Sequence, residues 1–121
     1  MAKSRIILEM GHGNDMHGGD YTKAALRAVQ DAIHHSSLPF MRSLEIPFEE
    51  LEIEVTIGVQ RPYAVDAEDV RKSLPVGNAT VKVIKGGLDI HYPEFNAASV
   101  IATAAIAVRC DLGPYLKKNS R

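Results

Sequence analysis

From Gly11 to Asp20 the chain reads Gly-His-Gly-Asn-Asp-Met-His-Gly-Gly-Asp, its densest run of chemically capable groups. His12 and His17 can exchange a proton near neutral pH, Asp15 and Asp20 can accept hydrogen bonds or protons, and Lys23 follows within a turn. Gly11, Gly13, Gly18 and Gly19 release the backbone from the usual steric limits, so amides can turn toward a ligand. The run leads into a helix start, where unpaired N–H groups and the helix dipole favour an anion. Lys23 opposes that dipole unless a negative group lies nearby. These residues point to a site for a small anionic or planar, oxygen-rich molecule. The candidate catalytic groups are His12, Asp15, His17 and Lys23, with Gly18, Gly19 and Asp20 as binding groups. Arg61, before a proline at a strand end, adds a cation for a carboxylate or carbonyl oxygen. The plainer reading is a glycine-rich connection with a solvated lysine.

Other chemistries fit less well. Gly13-x4-Gly18 continues as Gly19-Asp20 rather than Lys-Ser/Thr, and Gly11-x-Gly13 meets Met16 where a dinucleotide fingerprint needs glycine. No cofactor is therefore expected. His12, Asp15, His17 and Asp20 could offer nitrogen and oxygen ligands, but their spacing follows no metal-site template, so no metal is expected. None of the serines lies in a nucleophile elbow. Glu49, Glu50, Glu52 and Glu54 form an acidic row with no nearby aromatic platform for a sugar, and read as a solvated face.

Six elements have to position these groups. Residues 4–10 form a first strand and 11–19 a loop, and Asp20 caps a helix that runs to His35 or Ser36. Its apolar stripe is Ala25, Leu26, Val29, Ala32 and Ile33. Leu51, Ile53, Val55, Ile57 and Val59 alternate with polar neighbours, as a strand with one buried face requires, until Arg61-Pro62 stops it. A second helix spans Asp66–Leu74, with Asp66 and Asp69 as a capping box and Val65 with Val70 as a staple. Ala79, Val81 and Val83 mark a third strand. Gly86-Gly87 is a turn or a bulge, after which Leu88–His91 continues or returns the strand. Ser99–Cys110 is apolar on both faces, and its β-branched residues favour a strand in mid-sheet or one covered by another subunit. Cys110 falls within it as a small core residue. The order is β-α-β-α-β-β: an α/β (α+β) single domain, residues 1–121, with a mixed sheet and helices on one face.

The 121 residues suit one core, and 14 Lys+Arg against 15 Asp+Glu leave a formal net charge of -1. No global basic field draws nucleic acid or anionic lipid, so neither is an expected partner. The apolar run Ile6-Ile7-Leu8 stops at Glu9, too short for a signal peptide, and a lone cysteine excludes an internal disulfide. A cytoplasmic location is expected.

The stretch from Glu9 to Ala25, with Gln60-Arg61-Pro62-Tyr63 and Lys85-Gly86-Gly87-Leu88, resembles a family of small, functionally uncharacterised bacterial proteins over nearly the whole chain. Residues 6–28 and the Gly86-Gly87 pair also resemble one repeat of the ring-opening amidohydrolases, the cyanuric acid hydrolase and barbiturase group. Those enzymes set three similar α/β units around a pseudo-threefold axis, with lysine–serine pairs and arginines facing a central site. The resemblance implies a homotrimer with a small-molecule site between subunits. It departs at the chemistry: the family's loop lysine falls near Gly11 or His12, and Lys85 stands where its serine precedes the glycine pair. The other class of function is a non-catalytic trimeric module that binds a metabolite or a protein.

Overall fold

The computed structural model describes residues 4–16, 18–34, 46–74, 79–95, 97–111 and 113–114. Among these residues five strands and two helices are formed: β1 (Ser4–Asp15), α1 (Tyr21–His34), β2 (Glu52–Val59), α2 (Ala67–Lys72), β3 (Ala79–Lys85), β4 (Leu88–Tyr92) and β5 (Ala97–Cys110). The fold is a small α+β unit around a mixed sheet. Residues 35 and 36, the expected end of α1, and Pro75 to Asn78 lie outside the described residues.

β5 is the central strand, as its two apolar faces require. One edge pairs antiparallel with β1 from Ser4↔Cys110 to Asp15↔Val100, the other with β2 and then with β4. β2 pairs in parallel with β3, so β1, β2 and β3 all run the same way and end on one side of the molecule. Leu88–Tyr92 is a strand of its own. The turn at Gly86-Gly87 carries the chain across to β5, with Gly87 at φ +64°. A Cβ on Gly87 would stand 2.2 Å from the Ile101 carbonyl oxygen, so only glycine fits.

The expected loop at 11–19 is corrected by the structure. Residues 11–15 continue β1, and their backbone pairs with β5 from Gly11↔Ala104 to Asp15↔Val100. The glycines serve packing here. A Cβ on Gly11 would lie 2.4 Å from the Ala32 nitrogen, and one on Gly13 2.4 Å from the Ala28 nitrogen. The backbone of α1 thus rests directly on β1. Its contact surface is correspondingly small: Ala24, Ala25, Ala28, Val29 and Ala32 are fully buried, while Leu26 and Ile33 sit at the margin. Ala25, Val29 and Ala32 of the predicted stripe are buried as expected, while the close approach adds Ala24 and Ala28 and leaves the larger Leu26 and Ile33 partly covered.

The core lies between the sheet and the helices, where Ile53, Val55, Ile57 and Val59 meet Val100, Ala102, Ala104, Ile106, Val108 and the buried Cys110. Asp66 caps α2 by accepting the Glu68 and Asp69 N–H groups, at 3.1 and 3.2 Å. The reciprocal half of the predicted capping box is replaced: Thr22 Oγ1 accepts the Asp66 N–H at 2.9 Å, which ties α2 to the start of α1. Glu52 and Glu54 lie exposed on the face away from the helices, Glu54 in an ion pair with Arg109 at 3.3 Å. Among the described residues, no helix is long and apolar enough to cross a membrane.

The Gly13→Ala variant forces a methyl group into the α1 backbone. Overpacking of this kind costs about 1–3 kcal/mol or more, and urea unfolding should show at least that loss. The same substitution at Gly19, where a Cβ meets nothing within 4 Å, carries only the strain of its positive φ.

Candidate functional site

Three chain segments meet at the carboxyl ends of β1, β2 and β3. They are the connection from Asp15 to Tyr21, the run Gln60–Tyr63, and the Gly86-Gly87 turn with Asp89. Gln60 Nε2 donates to the Gly86 and Gly87 carbonyls at 3.0 and 3.3 Å, fixing the turn against the end of β2. Thr22 Oγ1 donates to the Ala64 carbonyl at 3.4 Å as it accepts from Asp66. The Tyr21 hydroxyl donates to Asp89 Oδ2, linking α1 to β4.

Asp15 anchors the first segment. It ends β1 with 6% exposure, and its Oδ2 accepts the Asp20 N–H at 2.9 Å. Its Oδ1 lies 3.7 Å from the Arg27 guanidinium. The Asp20 amide does most to hold the carboxyl below its ordinary pKa; Lys23, Arg27 and the Gly18 amide add to this, and burial opposes it. A Cβ on Gly18 would come within 2.9 Å of that carboxylate, so glycine lets the amide approach. Asp20 then caps α1 by accepting the Lys23 N–H at 3.1 Å. The Lys23 charge helps to keep Asp15 ionised, but Asp15 forms its ion pair with Arg27 rather than with Lys23.

Asn14, Asp15, Met16, Gly18, Asp20, Lys23 and Arg27 line an open cleft of about 540 Å³. Arg27 is committed there, donating to the Asn14 carbonyl at 2.6 Å while it pairs with Asp15. Lys23 is exposed, and its ammonium makes no ion pair or hydrogen bond among the described residues. Asp15, Gly18, Asp20 and Lys23 are therefore brought together as the sequence suggested.

His12 is not among them. Strand alternation puts it on the opposite face of the sheet, exposed, with its N–H donating to Asp31 Oδ2 at 3.0 Å. The sequence placed His12 beside Asp15 because it read the segment as a loop; a strand separates them. His17 lies outside the described residues. Gly19 takes the left-handed conformation at φ +62° and faces no neighbour. Arg61 is exposed at the end of β2, close enough to the Tyr21 phenol to favour its ionised form.

Tyr21, Thr22, Arg27, Gln60 and Asp89 were not candidates from residue type. For Tyr21, Thr22, Arg27 and Gln60 the signal was position within the resembling segments; Asp89, one residue past Leu88, had none. Tyr21 is 9% exposed, and its pKa is pushed up to about 12 by burial and by the Asp89 carboxylate. Asp89 Oδ1 is buried without a hydrogen-bond partner. Among the described residues, no three His, Cys, Asp or Glu side chains converge as ligands of one metal ion would.

Residues 5–108 match the family described as Conserved hypothetical protein (Lin0512_fam). The chain belongs to that family. A crystal structure from Nostoc punctiforme PCC 73102, of a protein described as FtsZ-like and of unknown function, is similar at 39% sequence identity. It covers 92% of this chain and 98% of its own, with a TM-score of 0.78. No curated protein matches the chain. The resemblance to a functionally uncharacterised family holds for this Lin0512 member.

Two stability measurements follow. The Asp15 carboxyl has a folded pKa below its unfolded value, so its contribution is complete above about pH 4 and disappears as pH falls through the folded value. Asp15→Asn should lose stability at pH 7 and show a smaller further loss between pH 7 and pH 3 than the parent, by urea midpoints. Tyr21→Phe leaves Asp89 without its hydroxyl donor and should cost about 1–3 kcal/mol. Tyr21→Phe with Asp89→Ala should lose less than the sum of the two single changes.

Proposed function

We propose that the chain binds a small, oxygen-rich anion at the carboxyl ends of β1, β2 and β3, and that it does so as a homotrimer. The observation that supports this is the division of charge there. Asp15, Asp20 and Arg27 are bound up in holding the connection between β1 and α1. Lys23 and Arg61, beside the start of α1 and at the end of β2, make no ion pair among the described residues. A carboxylate, phosphate or polarised carbonyl would give both cations a partner. Ligands in sheets with parallel strands commonly lie at this end. Gly18 and Asp20 line the cleft, with Gly19 joining them in the chain.

Binding without chemistry is the reading favoured for the isolated subunit. Asp15 is a weak base, since its own hydrogen bonds hold it ionised, and His12 faces the other way. A hydrolase-like reaction, as the amidohydrolase resemblance implies, would need a proton-transfer group from another copy. The family's serine–lysine pair has no counterpart where Lys85 precedes Gly86-Gly87.

A thermal-shift series with carboxylates, phosphate, planar heterocycles and divalent metals tests the site. A ligand at about 100 times its Kd adds about 2.7 kcal/mol to stability, which a melting curve resolves. Lys23→Ala and Arg61→Ala should each weaken binding about tenfold, the scale of one charged hydrogen bond. A shift by a metal alone, reversed by chelator, or a ligand indifferent to both variants would overturn the reading.

A further inference from the structure

Among the described residues, the sheet has helices on one face only. On the other, strand alternation and register place Leu8, Met10, His12 and Asn14 of β1 beside Ala107, Ala105, Thr103 and Ile101 of β5. Leu88, Ile90 and Tyr92 of β4 continue the row beside Ile101, Ser99 and Ala97. Much of this surface is apolar and exposed: Met10 at 67%, Leu88 at 52%, Leu8 at 43%, with Ile90 and Tyr92 at 37%. It runs about 30 Å along β5 and is two strands, about 10 Å, wide. That is about 300 Å², within the range of the largest patch on a monomer and roughly a third of what each partner contributes to a standard interface.

We infer that this open sheet face is the surface on which copies of the chain associate. The charges on it support a second copy as the occupant. Among the described side chains they are Glu52, Glu54, Lys82 and Arg109, two of each sign, with Glu54 and Arg109 already paired. Such a face, turned toward a common axis, meets the same face of other copies without an excess of like charge, and it offers no single-signed field to lipid or nucleic acid. The hairpin adds a second reason. Beyond Asp15↔Val100 on one side and Gly58↔Thr103 on the other, β5 is paired only with β4. A two-stranded ribbon with an uncovered apolar face is marginal in water. Association covers Ile90 and Tyr92 and stabilises the arm that carries Asp89. It also brings His12, which lies outside the cleft, into the interface.

This inference takes from the proposed function the association of copies, and adds the face that mediates it. Light scattering and sedimentation of the full chain at tens of micromolar test it. The parent should show a multiple of 13.2 kDa, and Met10→Glu and Leu88→Glu should each return the mass to one subunit while keeping cooperative urea unfolding. The two lie on different strands, on either side of β5, so one reports if the other fails to fold. Lys23→Ala, in the cleft on the other side, should keep the parent mass. A monomeric parent, two glutamate variants with unchanged mass, or dissociation by Lys23→Ala instead would each overturn the inference. Ligand shifts are read separately on the same samples, so loss of the binding site and loss of this interface are distinguishable.

Discussion

The backbone of α1 lies against the backbone of β1, and much else depends on that contact. Gly11 and Gly13 leave no Cβ in the way, and Ala28 and Ala32 sit opposite them. An ordinary helix-on-sheet contact keeps its partners about 10 Å apart through interdigitated side chains. Without those side chains, polar groups on the flank of α1 reach the outer edge of β1. Asp31 accepts the His12 N–H and Arg27 donates to the Asn14 carbonyl. Backbone groups that would otherwise face solvent at a strand edge are satisfied, and the edge is closed to stray pairing.

The same approach sets the connection between β1 and α1. The strand must turn into the helix within the few residues after Asp15, and one carboxylate collects the amides that this turn leaves over. Asp15, Asp20 and Arg27 are therefore occupied with structure, although the sequence marks Asp15 as a candidate catalytic group and Asp20 as a binding group. Chemical capability in a sequence does not show which partners the fold has already assigned. Lys23 and Arg61 differ because the fold leaves both without an ion pair among the described residues.

The sheet separates two environments. On the helix side, three distant segments are tied by Tyr21–Asp89, Thr22–Asp66 and Gln60–Gly86 into one rigid end. On the other side, apolar residues lie uncovered along β1, β5 and β4. The mid-sheet strand β5 belongs to both, which accounts for its two apolar faces. Helices bury Val100, Ala102, Ala104 and Val108, while Ile101, Thr103 and Ala105 face outward.

Local pattern determined the elements with a strong period. The alternation from Leu51 to Val59, the helix after Asp20 and the central position of Ser99–Cys110 could all be read directly, because burial on one face or on both imposes its period on the sequence. The motif segments 9–25, 60–63 and 85–88 were also legible as special, but not the way they meet. Glycine carries no period. Gly11 and Gly13 look the same in a flexible loop and in a strand pressed under a helix, and only the helix above them decided between the two. That decision fixed the alternation of β1, and with it the face on which each side chain lies. Asp15 turned inward to hold the connection and His12 turned outward to the open sheet, a separation of neighbours that only tertiary packing could impose.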